Sequence, residues 1–294
     1  NLLECHIMSK RTMDVITLLK NIFNELKISA YDERTKQGLV QSAVIRESSK
    51  THQMNVLLHT TSPLLEHKET IIKKLTAKIP ELVGIARTNA TDPSSLASDP
   101  IDIWFGKDVL MDAIGELQFS IGYRSFYQVN AIQTEKLYAK AIEYADLTGK
   151  ERVIDAYSGI GTIALSVAKK VSKVFGIEIV KSAVADARKN ADLNQITNAF
   201  FEVGEAETVI KKWQKYKFDC IFVDPPRKGM DKALIQTIID MKIPKIVYVS
   251  CDPATLVRDL KTLTDGGYVV KEITPVDMFP QSTSIESVSL LTLK

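Results

Sequence analysis

From residue 152 onward, short runs of β-branched and aromatic residues alternate with stretches in which apolar residues have helical spacing. This alternation predicts strands joined by helices, and such units form a parallel sheet with helices on both faces. The predicted strands cover residues 152–155, 173–177, 199–203, 218–223, 245–249, 268–275 and 287–293. The last two have no helix between them, which favours an antiparallel hairpin at one edge. We therefore expect an α/β fold with a doubly wound, mostly parallel, seven-stranded sheet.

The first part of the chain has a different pattern, in which strand-like runs are fewer and pair as neighbours. Its predicted elements are helices over residues 13–26 and 66–79 and strands over residues 39–46, 53–59 and 82–87. Residues 88–100 are rich in Asn, Thr, Ser, Asp and Pro, which predicts a loop. We expect a smaller α+β domain over residues 1–120 and a larger domain over residues 121–294.

Composition excludes some classes of protein. The 294 residues include 38 Lys and Arg and 36 Asp and Glu, so the formal net charge is only +2. That charge is too small to indicate a nucleic-acid partner by itself. No apolar run reaches the length of a membrane span and no signal peptide is present, so we expect no membrane partner and a cytoplasmic location. The first residue is Asn rather than Met, from which we expect a longer protein with a missing upstream part.

The three cysteines, Cys5, Cys220 and Cys251, show no zinc-ligand spacing and cannot all pair with one another. This usage suits a reducing compartment, and we expect no metal site. His6 lies beside Cys5, but two residues fall short of the three or four ligands that most metal sites need.

Cys251 follows an apolar run that predicts a buried strand, and it precedes a predicted helix with Pro253 in its first turn. In open α/β sheets, ligands bind where strands end and helices begin. Backbone N–H groups of the helix would favour the thiolate form of Cys251, which predicts a nucleophile. The alternative is a small buried side chain without chemistry, which is the usual role of an isolated free cysteine.

A second set of residues predicts a cofactor site. Asp155 ends a strand and is followed by Gly159 and Gly161, which would let the backbone approach a ligand closely. The third glycine of the dinucleotide fingerprint is absent, since Leu165 stands there, and this counts against NAD. Glu178 ends the next strand and is placed to accept the hydroxyls of a ribose, although it would also suit a helix start. Together these residues predict an S-adenosylmethionine site.

Asp224 ends a further strand and is followed by Pro225, Pro226 and Arg227. Two consecutive prolines make a rigid turn without two backbone N–H groups, which suits a surface against a flat base or a cofactor. Methyltransferases that act on amino groups have an aromatic residue where Arg227 stands, which argues against such a target. The alternative is a plain loop.

At this point the chain resembles the RNA uracil-5-methyltransferase family, which forms 5-methyluridine, and in particular its bacterial 23S ribosomal RNA type. The resemblance covers residues 31–294. The motifs that carry it lie at residues 125–130, 155–162, 224–229, 248–259, 277–280 and 286–287.

The resemblance implies a Rossmann-like, S-adenosylmethionine-dependent catalytic domain, acting as a monomer. It implies that Gln128, Tyr157, Glu178 and Asp224 contact the cofactor. It also implies that Cys251 is the nucleophile and that Glu286 is the base. Family members commonly carry an upstream TRAM-like barrel, and some carry an iron–sulfur cluster whose last cysteine Cys5 resembles.

The implied substrate is a uridine that is flipped out of a helix or lies in an RNA loop, because Cys251 cannot reach a stacked base. The aromatic candidates to stack on RNA bases are Phe126, Tyr127 and Phe279, with core packing slightly favoured for the first two. The candidates to hold phosphates, each as easily a solvated surface residue, are Arg34, Lys36, Arg46, Arg124, Arg227 and Lys228. Three alternatives stay open: a tRNA substrate, methylation of an amino group or small molecule, and a non-catalytic RNA-binding protein on this fold.

Overall fold

The computed structural model describes residue 5, residues 7–89 and residues 100–294. The chain divides into two compact units, Asn1–Ala113 with Ser120–Arg124 and Ile114–Phe119 with Ser125–Lys294. The predicted domain boundary at residue 120 falls where the chain crosses between these units. Most of the loop predicted at residues 88–100 lies outside the described residues.

The first unit is built on a four-stranded mixed sheet in the order β1-β2-β3-β4. Its strands and helices are α1 (Lys10–Glu25), β1 (Val40–Glu47), β2 (Met54–Thr60), α2 (Lys68–Thr76), β3 (Leu82–Thr88) and β4 (Ile101–Gly106). The pairs β1–β2 and β3–β4 are antiparallel, while β2 and β3 are parallel and α2 connects them. A separate two-stranded sheet follows, formed by β5 (Val109–Ile114) and β6 (Leu117–Gly122).

The core of the first unit lies between the four-stranded sheet and the helices α1 and α2. Helix α1 begins at the cap residue Ser9, whose hydroxyl accepts a hydrogen bond from the backbone N–H of Thr12 at 3.0 Å. The buried apolar residues of α1, α2 and β2 form one cluster, which includes Val15, Leu19, Ile22, Ile71, Leu75, Val56 and Leu58. Their spacing of three or four residues on the helices is that of elements with one buried face, whereas every residue of β2 is buried, so this strand is covered on both faces.

The second unit is a doubly wound sheet of seven strands in the order β12-β13-β11-β10-β7-β8-β9. Its strands are β7 (Arg152–Ala156), β8 (Lys173–Glu178), β9 (Ala199–Val203), β10 (Cys220–Val223), β11 (Lys245–Ser250), β12 (Tyr268–Val276) and β13 (Glu286–Leu293). Its helices are α3 (Ala131–Ala145), α4 (Thr162–Ala168), α5 (Lys181–Leu193), α6 (Ala206–Lys212), α7 (Lys232–Met241) and α8 (Pro253–Asp265). The predicted fold class and all seven predicted strands are confirmed, with ends that differ by at most two residues.

Strand β13 alone runs against the direction of its neighbours in this sheet. It pairs antiparallel with both β11 and β12, so the last strand of the chain lies between two earlier ones. The predicted antiparallel hairpin at the edge is confirmed. One consequence is that the start of β13 lies at the same edge of the sheet as the ends of the parallel strands.

Within the described parts of the chain, the helices are too short or too polar to reach across a lipid bilayer.

Candidate active site at the edge of the seven-stranded sheet

The order of strands brings most of the predicted site residues to one edge. Asp155, Glu178, Asp224 and Cys251 lie at or just beyond the ends of the parallel strands β7, β8, β10 and β11. Glu286 begins the antiparallel β13 and reaches the same edge from the opposite direction. In open α/β sheets this edge is where ligands bind.

The loop after β7 leaves an open space beside a buried carboxylate. The Oδ2 atom of Asp155 accepts a hydrogen bond from the N–H of Ala164 at 2.8 Å, but its buried Oδ1 atom has no partner among the described residues. Tyr157 and Gly159 both have positive φ angles, 73° and 53°. A Cβ atom placed on Gly159 would meet nothing within 4 Å. The chain therefore exposes backbone to an open space at this point, as a loop that takes up a ligand does.

Glu178 lies across this loop and is held in place by backbone N–H groups. Its Oε2 atom accepts from Gly159 at 3.1 Å and its Oε1 atom from Val180 at 2.8 Å. The side chain is partly exposed at the end of β8. A fixed, accessible carboxylate beside a glycine loop is what recognition of a ribose requires.

Pairing of β11 with β13 brings Cys251 and Glu286 together. The last pair of this antiparallel register is Ser250 with Ser287. Cys251 and Glu286 are the next residues along the two strands, so they come to lie beside each other at the edge. Glu286 is buried, and Cys251 is partly exposed.

The sequence predicted that N–H groups of the following helix would favour the thiolate form of Cys251. For the protein without ligands this prediction is wrong. Burial raises the pKa of the Cys251 thiol, and the nearby carboxylates of Glu286 and Asp224 raise it further. The helix N-terminus does not reverse this, because Asp252 caps α8 by accepting from the N–H of Thr255 at 2.9 Å. The backbone N–H of Cys251 and the charge of Arg227 lower the thiol pKa, but to a smaller extent.

The carboxylates at this edge crowd one another. Burial, followed by the charge of Glu286, raises the pKa of Asp224 to about 7. Burial raises the pKa of Glu286, and Arg227 partly offsets the shift. Burial also raises the pKa of Asp155, with Asp224 and Glu178 adding to the effect. Several acidic groups thus lie close together with little compensating positive charge, which is complementary to a cation.

The other two predicted cofactor residues lie in segments that flank this edge. Gln128 is buried in the segment that leads to the N-cap of α3, Asn130. Asn130 donates from Nδ2 to the carbonyl of Met278 at 3.1 Å, so this segment is joined to the loop that precedes Glu286. Burial raises the pKa of Tyr157 to about 12, which keeps its hydroxyl neutral.

The aromatic and cationic candidates separate into distinct groups. Core packing was favoured for Phe126, and this is wrong, because the side chain is 72% exposed. Tyr127 packs near Phe119, with ring centroids 6.2 Å apart, and Phe279 is partly exposed. Arg46 is partly buried and donates to the carbonyl of Gly122 at 3.2 Å. The remaining cationic candidates are exposed, namely Arg34, Lys36, Arg124, Arg227 and Lys228.

Two residues of this edge were not predicted from the sequence. Tyr138 of α3 is buried, donates or accepts a hydrogen bond with the hydroxyl of Thr162 at 2.9 Å, and has its pKa raised by burial and by Asp224 and Asp155. Asp259 of α8 is buried and bonds to the segment that follows Asp224. Tyr138 lies inside a helix whose apolar spacing marks it as an ordinary buried-face position, so no sequence signal distinguishes it. Asp259 ends the motif at residues 248–259, but that motif gave it no role.

The sequence profile of one family, described as tRNA (uracil-5-)-methyltransferase, matches residues 102–294. That stretch contains the whole seven-stranded sheet and every residue of the site. The chain belongs to this family. The predicted resemblance to RNA uracil-5-methyltransferases is thereby confirmed.

Relatives of this methyltransferase family member include RNA methyltransferases of two bacteria. The chain is 46% identical over 294 residues to an uncharacterized RNA methyltransferase of Halalkalibacterium halodurans, covering 99% of the chain and 64% of the relative. It is 45% identical to one from Bacillus cereus, covering 100% of the chain and 65% of the relative. The chain therefore spans just under two thirds of the length of these curated relatives.

Solved structures agree with the fold. The crystal structure of Pyrococcus abyssi tRNA (uracil-54, C5)-methyltransferase in complex with S-adenosyl-L-homocysteine has a TM-score of 0.80 and 30% identity, covering 99% of this chain and 70% of that one. Wild-type Trm5b from the same organism has a TM-score of 0.58 at 11% identity, covering 86% and 75% of the two chains, and shows the fold alone.

The residues at the sheet edge fit S-adenosylmethionine, the cofactor predicted from the sequence. This methyltransferase family member has a fixed carboxylate at Glu178, an open space at Gly159 and a buried oxygen on Asp155 that has no partner among the described residues. The sulfonium and ammonium charges of the cofactor would compensate the crowded carboxylates. Among the described residues, His, Cys, Asp and Glu side chains form no group of three that would hold a metal ion. Cys5 is partly exposed, but the structure does not describe residues 1–4 and 6 around it.

Proposed function

We propose that the protein transfers a methyl group from S-adenosylmethionine to carbon 5 of uridines in RNA, through a covalent bond between Cys251 and the uracil. The observation that supports this most directly is the β11–β13 register, which brings a thiol and a carboxylate side by side at the cofactor edge. Amino-group methylation has no use for Cys251, and a protein that only binds RNA has no use for either group.

The chemistry needs one nucleophile and one base. The thiol of Cys251 first loses its proton to solvent, which leaves Glu286 free as the base for the later step. The thiolate then bonds to carbon 6 of the uracil, and the electrons of the 5,6 double bond move to the oxygen on carbon 4. When bound, the cofactor would supply a methyl group on positively charged sulfur. Carbon 5 would take that methyl group as its bond to the sulfur breaks, which leaves neutral S-adenosylhomocysteine. Glu286 then removes the proton from carbon 5, the double bond re-forms, and the sulfur–carbon 6 bond breaks to release Cys251. General-base catalysis of this kind is typically worth about 10²–10⁴-fold.

Proximity of Glu286 to Cys251 suits both steps. A carboxylate with a raised pKa is a better proton acceptor than an ordinary glutamate, because its conjugate acid is weaker. The raised pKa of Cys251 also makes the thiolate a stronger nucleophile once it forms. Gln128, Tyr157, Glu178 and Asp224 are the proposed cofactor contacts, and Asp155 and Gly159 complete that site.

Phe126 is the proposed stacking surface for an RNA base near the site. An aromatic ring that is 72% exposed has no core to stabilise it, and stacking on a base contributes about 1–3 kcal/mol. The target uridine would be flipped out or lie in a loop. The cytoplasmic location and the monomeric state predicted from the sequence remain part of this proposal.

We propose ribosomal RNA, and 23S RNA in particular, as the substrate, on the resemblance of the loop motifs to that type of enzyme. Transfer RNA is the second candidate, because the Pyrococcus abyssi enzyme acts on tRNA. An identity of 30% to that enzyme is too low to carry its choice of RNA to this chain.

The test uses methyl-labelled cofactor with ribosomal RNA and tRNA transcripts in parallel, followed by digestion to nucleosides. We expect label in 5-methyluridine from ribosomal RNA, none from Cys251→Ala, and normal label from Cys220→Ala, a matched control at the opposite end of β10. Label from tRNA alone would replace the proposed substrate. Equal label from Cys251→Ala, or label in another nucleoside, would overturn the mechanism.

A further inference from the structure

We propose that Asp259, together with Arg258 and Thr255, is a positioning residue that holds the segment 227–230 against α8 and so keeps Arg227 beside Cys251. These three side chains are called the α8 clamp. The inference rests on the proposed function only in taking Cys251 as the nucleophile. Asp259 has no contact with the reacting groups and acts through Arg227.

Asp259 is the centre of the α8 clamp. It is 1% exposed, and its Oδ2 atom accepts from the N–H of Met230 at 2.8 Å and from the hydroxyl of Tyr248 at 2.7 Å. Its Oδ1 atom accepts from Nε and Nη2 of Arg258 at 2.9 and 2.7 Å. A buried carboxylate is costly unless its oxygens are satisfied, and these donors come from β11, from α8 and from the segment after β10. Asp259 therefore joins three elements at one point.

Two more bonds fasten the same segment to α8. Thr255 donates from its hydroxyl to the carbonyl of Arg227 at 3.1 Å, and Arg258 donates from Nη2 to the carbonyl of Lys228 at 2.8 Å. Gly229 lies between these points with φ 78°. A Cβ atom there would come within 2.4 Å of Arg258 Nη2 and 2.6 Å of Asp259 Oδ2, so a larger residue would displace the two side chains of the α8 clamp and strain the backbone.

The α8 clamp matters because of the charges that face Cys251. Glu286 on β13 and Asp224 at the end of β10 raise the thiol pKa, whereas Arg227 lowers it. Asp252, the cap of α8, is the remaining charged neighbour in sequence and is occupied by Thr255. Arg227 is exposed, and its backbone carbonyl accepts from Thr255, so the α8 clamp fixes the backbone from which the charge of Arg227 acts on the thiol.

The deciding variant is Asp259→Asn, because it could change the thiol pKa in two ways that have opposite directions. Loss of a negative charge would by itself lower the thiol pKa, whereas loss of the α8 clamp would raise it. We measure the rate at which iodoacetamide alkylates Cys251 from pH 6 to 10, following the Cys251 peptide by mass spectrometry. We expect a higher thiol pKa and alkylation about three- to tenfold slower at pH 7.5, since a rise of about 0.5 to 1 in the thiol pKa lowers the thiolate fraction by that factor.

Thr255→Val is the companion variant, because it removes one bond of the α8 clamp without changing charge. It should shift the thiol pKa in the same direction by a smaller amount. Arg227→Gln should give the largest rise in the thiol pKa. Adding Asp259→Asn to it should raise the thiol pKa no further, since both substitutions act through the charge of Arg227. Asp265→Asn, an exposed residue at the far end of α8, is the control for losing one negative charge.

An unchanged or lowered thiol pKa in Asp259→Asn and Thr255→Val would overturn the inference, as would fully additive shifts in the double variant. If circular dichroism shows that Asp259→Asn does not fold, Thr255→Val decides alone. Alkylation needs neither cofactor nor RNA, so it gives a result even where the proposed methyl transfer fails. In RNA assays, the same variants should move the pH profile of kcat toward higher pH while KM for the cofactor stays constant.

Discussion

Replacing Glu286 should separate the two halves of the proposed reaction, which are methyl transfer to the uracil and removal of the proton from carbon 5. In Glu286→Gln the sulfur of Cys251 can still add to the uracil and carbon 5 can still take the methyl group, but no base remains to remove the proton. We expect an RNA–protein adduct that survives denaturing electrophoresis, with turnover reduced by about 10²-fold or more. Glu272→Gln, the same change on an exposed residue of β12, is the control. Normal turnover in Glu286→Gln would remove Glu286 from this role.

Asp224 predicts a pH dependence of stability. Its pKa is raised to about 7 in the folded protein from an ordinary value of 3.8. Between these values the folded state binds more protons than the unfolded state, so this group makes the free energy of unfolding fall as pH rises from about 4 to 7.

In Asp224→Asn, this fall in the free energy of unfolding with rising pH should disappear. The melting temperature of the variant without ligands should rise relative to wild type between pH 5 and pH 8, with Asp265→Asn as the control for charge. A constant difference between Asp224→Asn and wild type across this range would show that Asp224 titrates normally.

Individual side chains show where prediction from sequence stops. The position of Cys251 after a strand and before a capped helix followed from local pattern, because β-branched runs and Pro253 are local signals. Its raised thiol pKa did not, because burial, the main cause, depends on tertiary packing. The carboxylates that add to it, Asp224 just after β10 and Glu286 at the start of β13, are 27 and 35 residues away in the chain. Phe126 was misjudged because apolar character predicts burial on average and does not predict which residue a loop leaves outside.

At the scale of elements, the loop between β7 and α4 should lose its ability to bind the cofactor when one methyl group is added to it by an alanine substitution. Gly159 and Gly149 both have positive φ, 53° and 96°, and a Cβ on either meets nothing within 4 Å. Alanine should therefore lower the stability of both variants by about 1–2 kcal/mol through backbone strain.

Only Gly159 faces the cofactor edge, so Gly159→Ala alone should weaken binding of S-adenosylhomocysteine, by about tenfold or more. Isothermal titration of both variants checks this. Equal affinities would mean that the cofactor does not approach this loop.

Elements were predicted more completely than their pairing. Strands of the second unit appeared in the sequence because each is a short apolar run bounded by polar residues, and the order of helices and strands implied a parallel sheet. The insertion of β13 between β11 and β12 is set by packing across the sheet, and nothing in the hairpin's sequence states which of its strands lies inside.

At the scale of the whole molecule, a net charge of +2 leaves RNA affinity to local groups. Five exposed candidates would make at most a few phosphate contacts, which gives a slope of log affinity against log salt of about −3 to −4. The double variant Arg34→Gln and Lys36→Gln should reduce that slope by about 1.4.

Lys211→Gln with Lys217→Gln has the same change in net charge, on residues that precede β10 and lie away from the site edge. This control should leave the slope unchanged in filter-binding measurements. A similar loss in both pairs would mean that net charge, and not these two residues, sets the salt dependence.

The position of β13 also has a consequence for synthesis. When β12 leaves the ribosome, its place in the sheet cannot yet be filled correctly, because the strand that separates it from β11 has not been made. Until then both β11 and β12 present unpaired backbone groups, which are open to wrong partners. The residue that begins β13 is also the carboxylate beside Cys251. A nascent chain therefore completes its seven-stranded sheet and the proposed reaction centre in the same step, and no earlier.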